Sequence, residues 1–148
     1  VFASILVGTD GSDTARTALN QAIALAVRSG ARLQIVSAYE PVSDHRLRNH
    51  QIEVPKDLEW MVNPRGDVLA VLEAAHDEAS RAGVSEVETF ARQGDAADAI
   101  LDVAEEQRSD LIVVGNKGIT GAKRYLLGSV PNKVSHHAPC SVLIVRTT

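Results

Sequence analysis

Three glycines and a serine, spaced Gly115-x2-Gly118-x9-Gly128-Ser129, are the residues of this chain best suited to chemistry, and that chemistry is holding an anion. Glycines let consecutive backbone amides converge on one oxyanion, because no Cβ blocks the approach and both signs of φ are open. A helix starting at Gly128-Ser129 would aim free amides and the positive end of its dipole at the same point, with the Ser129 hydroxyl as a further donor. Hydrogen bonds to a charged group contribute about 1.5 to 3 kcal/mol each, so a few approach micromolar retention of a phosphate before association entropy is subtracted. The same glycines also suit a plain strand end followed by a helix start, and spacing alone leaves both readings open.

A second cluster, Gly8-Thr9-Asp10-Gly11-Ser12, follows the first apolar run. The Asp10 carboxylate suits ribose hydroxyls, as carboxylates do in nucleotide-binding folds, and Gly11 keeps the turn open beside Thr9. Asp beside Gly is equally the chemistry of turns and helix caps. Ala38, small and near the end of the second strand, could leave space for an adenine ring against its backbone, although an alanine there by itself identifies no ligand. Neither G-x4-G-K-[S/T] nor a helix-opening G-x-G-x2-G occurs, which argues against a Walker ATPase or a Rossmann dehydrogenase.

Other reactive side chains read more blandly. Lys117, Lys123 and Arg124 are loop cations near the glycines, and Asp13 suits a helix start better than a water-mediated Mg²⁺ contact. His136 and His137 are adjacent and diverge on a helix, and His45 and His50 lack partners at metal-ligand spacing, so no protein metal site is expected. Cys140 reads as a small packed residue, and Trp60 and Met61 as packing against the domain. No residue is assigned a catalytic role.

The elements that must position these loops follow from periodicity. Residues 2–7, 33–39, 86–92, 111–114 and 141–145 read as strands, the fourth being a run of aliphatics suited to a central parallel position. Between them, one helix begins at the cap Ser12 and closes at Gly30, with Ala15, Ala18, Leu19, Ala22, Ile23 and Ala26 on its inner face. A second follows Asn63-Pro64, with Val68, Leu69, Leu72, Ala75 and Ala79 inward and Gly83 closing it. A third opens at Gly94-Asp95, and a short fourth, capped by Ser129, runs to about residue 136. The connection over residues 40–63 shows no sustained period.

This βαβαβαβαβ order predicts an α/β fold: a single doubly wound, Rossmann-like domain over residues 1–148, with a mostly parallel five-stranded sheet and helices on both faces. Ligands of such sheets sit outside the carboxyl ends of the strands at a topological switch point, where both glycine-containing loops would emerge. Composition agrees: 148 residues, 45% hydrophobic, net charge −4 and pI near 5.7 suit one globular core and lack the basic footprint of nucleic-acid binding. One cysteine, no basic leader before Ile5-Leu6-Val7 and no long apolar run lead to the expectation of a cytoplasmic protein without a membrane span.

With both loops in this order, the chain resembles the universal stress protein family, in its ATP-binding branch, over nearly its whole length. The family's G-x2-G-x9-G-[S/T] motif stands here as Gly115, Gly118, Gly128 and Ser129 after the expected apolar strand. The resemblance implies an adenine nucleotide as ligand, ATP or cyclic AMP, with Mg²⁺ entering through bound phosphates. It places Asp10 at the ribose and Ala38 at adenine, with Thr9 among the nucleotide-binding residues. Val114, Gly115, Gly118, Gly128, Ser129 and Val130 would surround ribose and phosphates. It further implies a homodimer through the last strand, residues 142–145, and a role in stress response or signalling. A slow Mg²⁺-dependent ATPase or phosphotransferase, and a nucleotide-independent dimeric scaffold, stand as alternatives.

Overall fold

The structure, a computed structural model, describes residues 1–40, 64–116 and 127–147. Among these described residues nine elements alternate: β1 (Ser4–Gly8), α1 (Asp13–Ser29), β2 (Arg32–Tyr39), α2 (Pro64–Ala82), β3 (Val87–Gln93), α3 (Ala96–Gln107), β4 (Leu111–Gly115), α4 (Ser129–His137) and β5 (Ser141–Val145). The strands form one sheet in the order β3-β2-β1-β4-β5, and every pairing is parallel. Short loops cannot join parallel neighbours, so each connection carries a helix across the sheet.

Side chains alternate across the strands and give the sheet two apolar faces. Ile5, Val7, Leu33, Ile35, Leu111 and Val113 pack against the inner stripes of α1 (Leu19, Ala22, Ile23) and α2 (Leu72, Ala75, Ala79). Leu6, Val36, Ile112 and Val114 face Ala97, Ile100 and Val103 of α3 and Val134 of α4. Burying one such aliphatic contributes about 1.5 to 3 kcal/mol, so the two faces together dominate the stability of the fold.

Helix ends follow the residues expected to make them. Ser12 accepts from the Ala15 amide at 3.2 Å, Asp95 from the Asp98 amide at 3.1 Å, and Gly30 closes α1 in the left-handed region at φ 67°. Two expectations are corrected. Leu69 is 45% exposed: Val68, Leu72, Ala75 and Ala79 already make the inward stripe of α2, and Leu69 sits about 100° away on its flank. Ser129 does not cap α4; it is the first helical residue, and Gly128 is the cap, with no side chain to close the end.

The amino-terminal edge of the sheet is sealed. Gln34 Oε1 accepts from the hydroxyls of Ser4 and Ser109, at 3.1 and 3.0 Å, and all three residues are buried. The Asp110 carboxylate accepts from the amides of Ala3 and Ser4, tying the start of β1 to β4. Satisfied in this way, these polar groups carry no unmet demand for a ligand. Among the described residues no helix is long and apolar enough to cross a membrane.

Candidate functional site

The carboxyl-terminal edge is built differently. β1 lies between β2 and β4, and the chain leaves β1 for α1 on one face but leaves β4 for α4 on the other. The ends of β1 and β4 therefore form the switch point, where diverging connections leave a crevice. Val7 pairs with Val113, so Gly8 and Thr9 emerge beside Val114 and Gly115, one strand spacing of about 4.8 Å away.

The turn after β1 is tightly specified. Thr9 continues the ladder by donating its amide to the Val36 carbonyl at 3.0 Å. Asp10 Oδ1 accepts from the Ser12 amide at 2.9 Å, and Thr9 Oγ1 accepts from the Gly11 amide at 3.2 Å. Asp10 thus does perform the turn chemistry that its setting allows, yet it is exposed, and Oδ2 meets no protein donor among the described residues. Gly11 is required twice over: its φ of +82° disfavours a side chain, and a Cβ there would lie 2.8 Å from Val71 Cγ2 of α2. Asp13 stands in the first turn of α1, as its helix-start reading requires.

Across the crevice, the start of α4 is drawn to the end of β4. The Gly128 amide donates to the Asn116 carbonyl at 2.9 Å, joining the residue before α4 to the residue after β4. Gly128 has φ −62° and ψ 161°, ordinary extended backbone, so its identity is not dictated by its own torsions. Because Gly128 offers no capping acceptor and Pro131 has no N–H, the amides of Ser129 and Val130 begin α4 without a side-chain cap. Lys133, one turn on, lies 2.8 Å from Asp98 and 3.5 Å from Asp95, linking α4 to α3. The hydrogen bond to Asp98 raises the Lys133 pKa, so this exposed ammonium stays charged.

Ala38 lies near the end of β2, half-buried and packed against the α3 face, opposite Arg92 of β3. The structure thus brings Thr9, Asp10, Gly115, Gly128, Ser129 and Val130 to the same edge of the sheet, around the ends of β1 and β4, with Val114 buried at the end of β4 and Ala38 on the next strand end. Gly118, Lys117, Lys123, Arg124, His45, His50, Asn63, Trp60 and Met61 lie outside the described residues. His136 and His137 occupy the last turn of α4, where His136 Nδ1 lies 2.8 Å from the Asn132 carbonyl. No cluster of three potential metal ligands occurs among the described residues.

Sequence reasoning passed over Asn116. Its amide donates to the Val145 carbonyl at 2.9 Å, and its side-chain Oδ1 accepts from the amide and hydroxyl of Thr147 at 2.8 and 2.9 Å. The available signal was a short polar amide at the end of an apolar strand, between two glycine positions. Gly8 was also unassigned. A Cβ on it would meet Ile100, so this glycine lets α3 settle against the strand that leads into the crevice.

Fold and crevice together define a doubly wound α/β protein with a prepared switch point between β1 and β4. The chain belongs to the universal stress protein family, whose sequence profile matches residues 2–146. Universal stress protein Rv1636 of Mycobacterium tuberculosis is 37% identical over 147 residues, 99% of this chain and 98% of that one. Universal stress protein YxiE of Bacillus subtilis is 38% identical over 149 residues, covering 99% of this chain and all of its own. Among solved structures, a universal stress protein in complex with cAMP superposes with a TM-score of 0.75 at 36% identity, over 99% of both chains.

Proposed function

We propose that this chain is an adenine-nucleotide-binding member of the family, holding ATP or cyclic AMP at the β1/β4 switch point as a regulatory module in cytoplasmic stress response or signalling. One observation carries the reading: the Gly128–Asn116 hydrogen bond sets an uncapped helix start opposite the Asp10 turn, across the ends of two adjacent strands. Positive potential and free amides on one side suit phosphate, and a fixed carboxylate on the other suits ribose hydroxyls. The 36% identical structure solved with cAMP supports the same ligand class.

In this reading Asp10 meets the ribose, Thr9 beside it contacts the nucleotide, and Ala38 borders adenine. Val114, Gly115, Gly118, Gly128, Ser129 and Val130 surround ribose and phosphates. Mg²⁺ enters on the phosphates of ATP. The protein acts as a homodimer through β5, an edge strand on which Leu143 and Ile144 are each 37% exposed.

Equilibrium titration of the purified protein, after stripping any nucleotide carried through purification, tests the function. Binding of ATP or cyclic AMP at micromolar concentration is expected. Absence of binding by either below millimolar overturns it.

A further inference from the structure

The register of β4 and β5 shows what Asn116 is for. In a parallel ladder, a residue that donates its N–H to residue j−1 accepts at its C=O from residue j+1. Asn116 donates to Val145, so its carbonyl is due the amide of Thr147. Thr147 goes instead to the Asn116 side chain, where Oδ1 accepts its amide at 2.8 Å and its hydroxyl at 2.9 Å. The backbone carbonyl takes the Gly128 amide at 2.9 Å. The Thr147 N–H can only donate, so the atom facing it is the amide oxygen and the side-chain orientation is settled.

We propose that Asn116 is the positioning residue of the nucleotide site: its side chain replaces its own main-chain carbonyl in the β4–β5 ladder, freeing that carbonyl to seat Gly128 and the start of α4. One residue then serves two demands that a single carbonyl would have to share. The end of β5 and the start of α4 are thereby coupled, because loss of Oδ1 sets Thr147 and Gly128 in competition for one acceptor. The inference rests on the proposed nucleotide function for its ligand, and on the hydrogen bonds alone for its geometry.

Amide hydrogen exchange on the full chain without nucleotide tests the geometry. Asn116→Ala is expected to speed exchange at the Gly128 amide by about tenfold, the scale of one net hydrogen bond. Asn116→Asp keeps the acceptor oxygen and is expected to hold Gly128 within about twofold of the wild type. Adding Thr147→Pro to Asn116→Ala removes the competing N–H and is expected to restore Gly128 protection, a rescue that a merely structural residue would not show. Unchanged Gly128 exchange in Asn116→Ala, or no recovery in the double variant, overturns the inference. Titration with ATP and cyclic AMP is expected to follow the same order, with Asn116→Ala weakened about tenfold and the double variant recovered. A wild-type protein that binds neither nucleotide overturns the functional reading instead, and the exchange series still decides the role of Asn116.

Discussion

Gly8 and Ile100 approach so closely that a Cβ on Gly8 would lie 2.8 Å from Ile100 Cδ1 and 3.2 Å from its Cγ1. Ile100 is 4% exposed and shares its face with Val103, Ala104 and Val114, so its δ-methyl has little room to turn aside. Gly8→Ala is therefore expected to destabilise the fold by about 1 to 3 kcal/mol, the usual cost of an extra methyl in a filled core. Ile100→Val removes the atom in the way and should recover part of that loss. Urea denaturation of the two single variants and the pair checks this; additive losses would show that the two residues do not compete for space.

Asp10 separates a ribose role from a turn role. Asp10→Ala is expected to weaken ATP and cyclic AMP by about ten- to hundredfold, the worth of a hydrogen bond to a carboxylate. Affinity for inorganic tripolyphosphate, which has no ribose, should stay nearly unchanged. Equal loss for all three ligands in calorimetric titration would mean that Asp10 acts only by holding Ser12 in the turn.

Burial pushes the Cys140 thiol up from its ordinary pKa, and the nearby Asp110 carboxylate adds to the shift. The thiol therefore stays protonated and poorly nucleophilic at neutral pH. Alkylation by iodoacetamide at pH 8 should be slower than that of a free thiol, and Asp110→Asn should quicken it. In stability, a raised folded pKa gives a contribution that is complete below the unfolded thiol's pKa and lost as pH rises through the folded value. A shallow fall in the denaturation midpoint above about pH 8.5, absent in Cys140→Ala, is the expected sign.

Ile144 tests the proposed dimer. Ile144→Lys places a charge on the exposed edge strand and should shift sedimentation toward the monomer while leaving nucleotide affinity within about twofold, because the crevice is built at β1 and β4. An unchanged sedimentation coefficient would place the dimer interface elsewhere.

Much of this architecture is legible along the chain because its causes are local. Ser12 and Asp95 cap helices through amides three residues away, and Gly30 turns the chain where φ is positive. The four-aliphatic run at 111–114 reads as a central strand because it is apolar on both faces, and it lies between β1 and β5. Leu69 misleads for the opposite reason: periodicity marks an apolar arc, but the width of the arc that α2 buries is set by what lies beneath it.

The sequence alone determines the order of elements, the parallel sheet, the two loops at its carboxyl-terminal edge and the family, since these follow from periodicity, turn residues and motif spacing. Tertiary structure alone decides how the start of α4 is joined to the end of β4. Asn116 gives its carbonyl to Gly128 because its side chain satisfies Thr147, a partner 31 residues away that reaches it only after β4 and β5 have paired. Hydrogen-bond competition of this kind depends on which groups meet in space, and spacing along the chain carries no record of it.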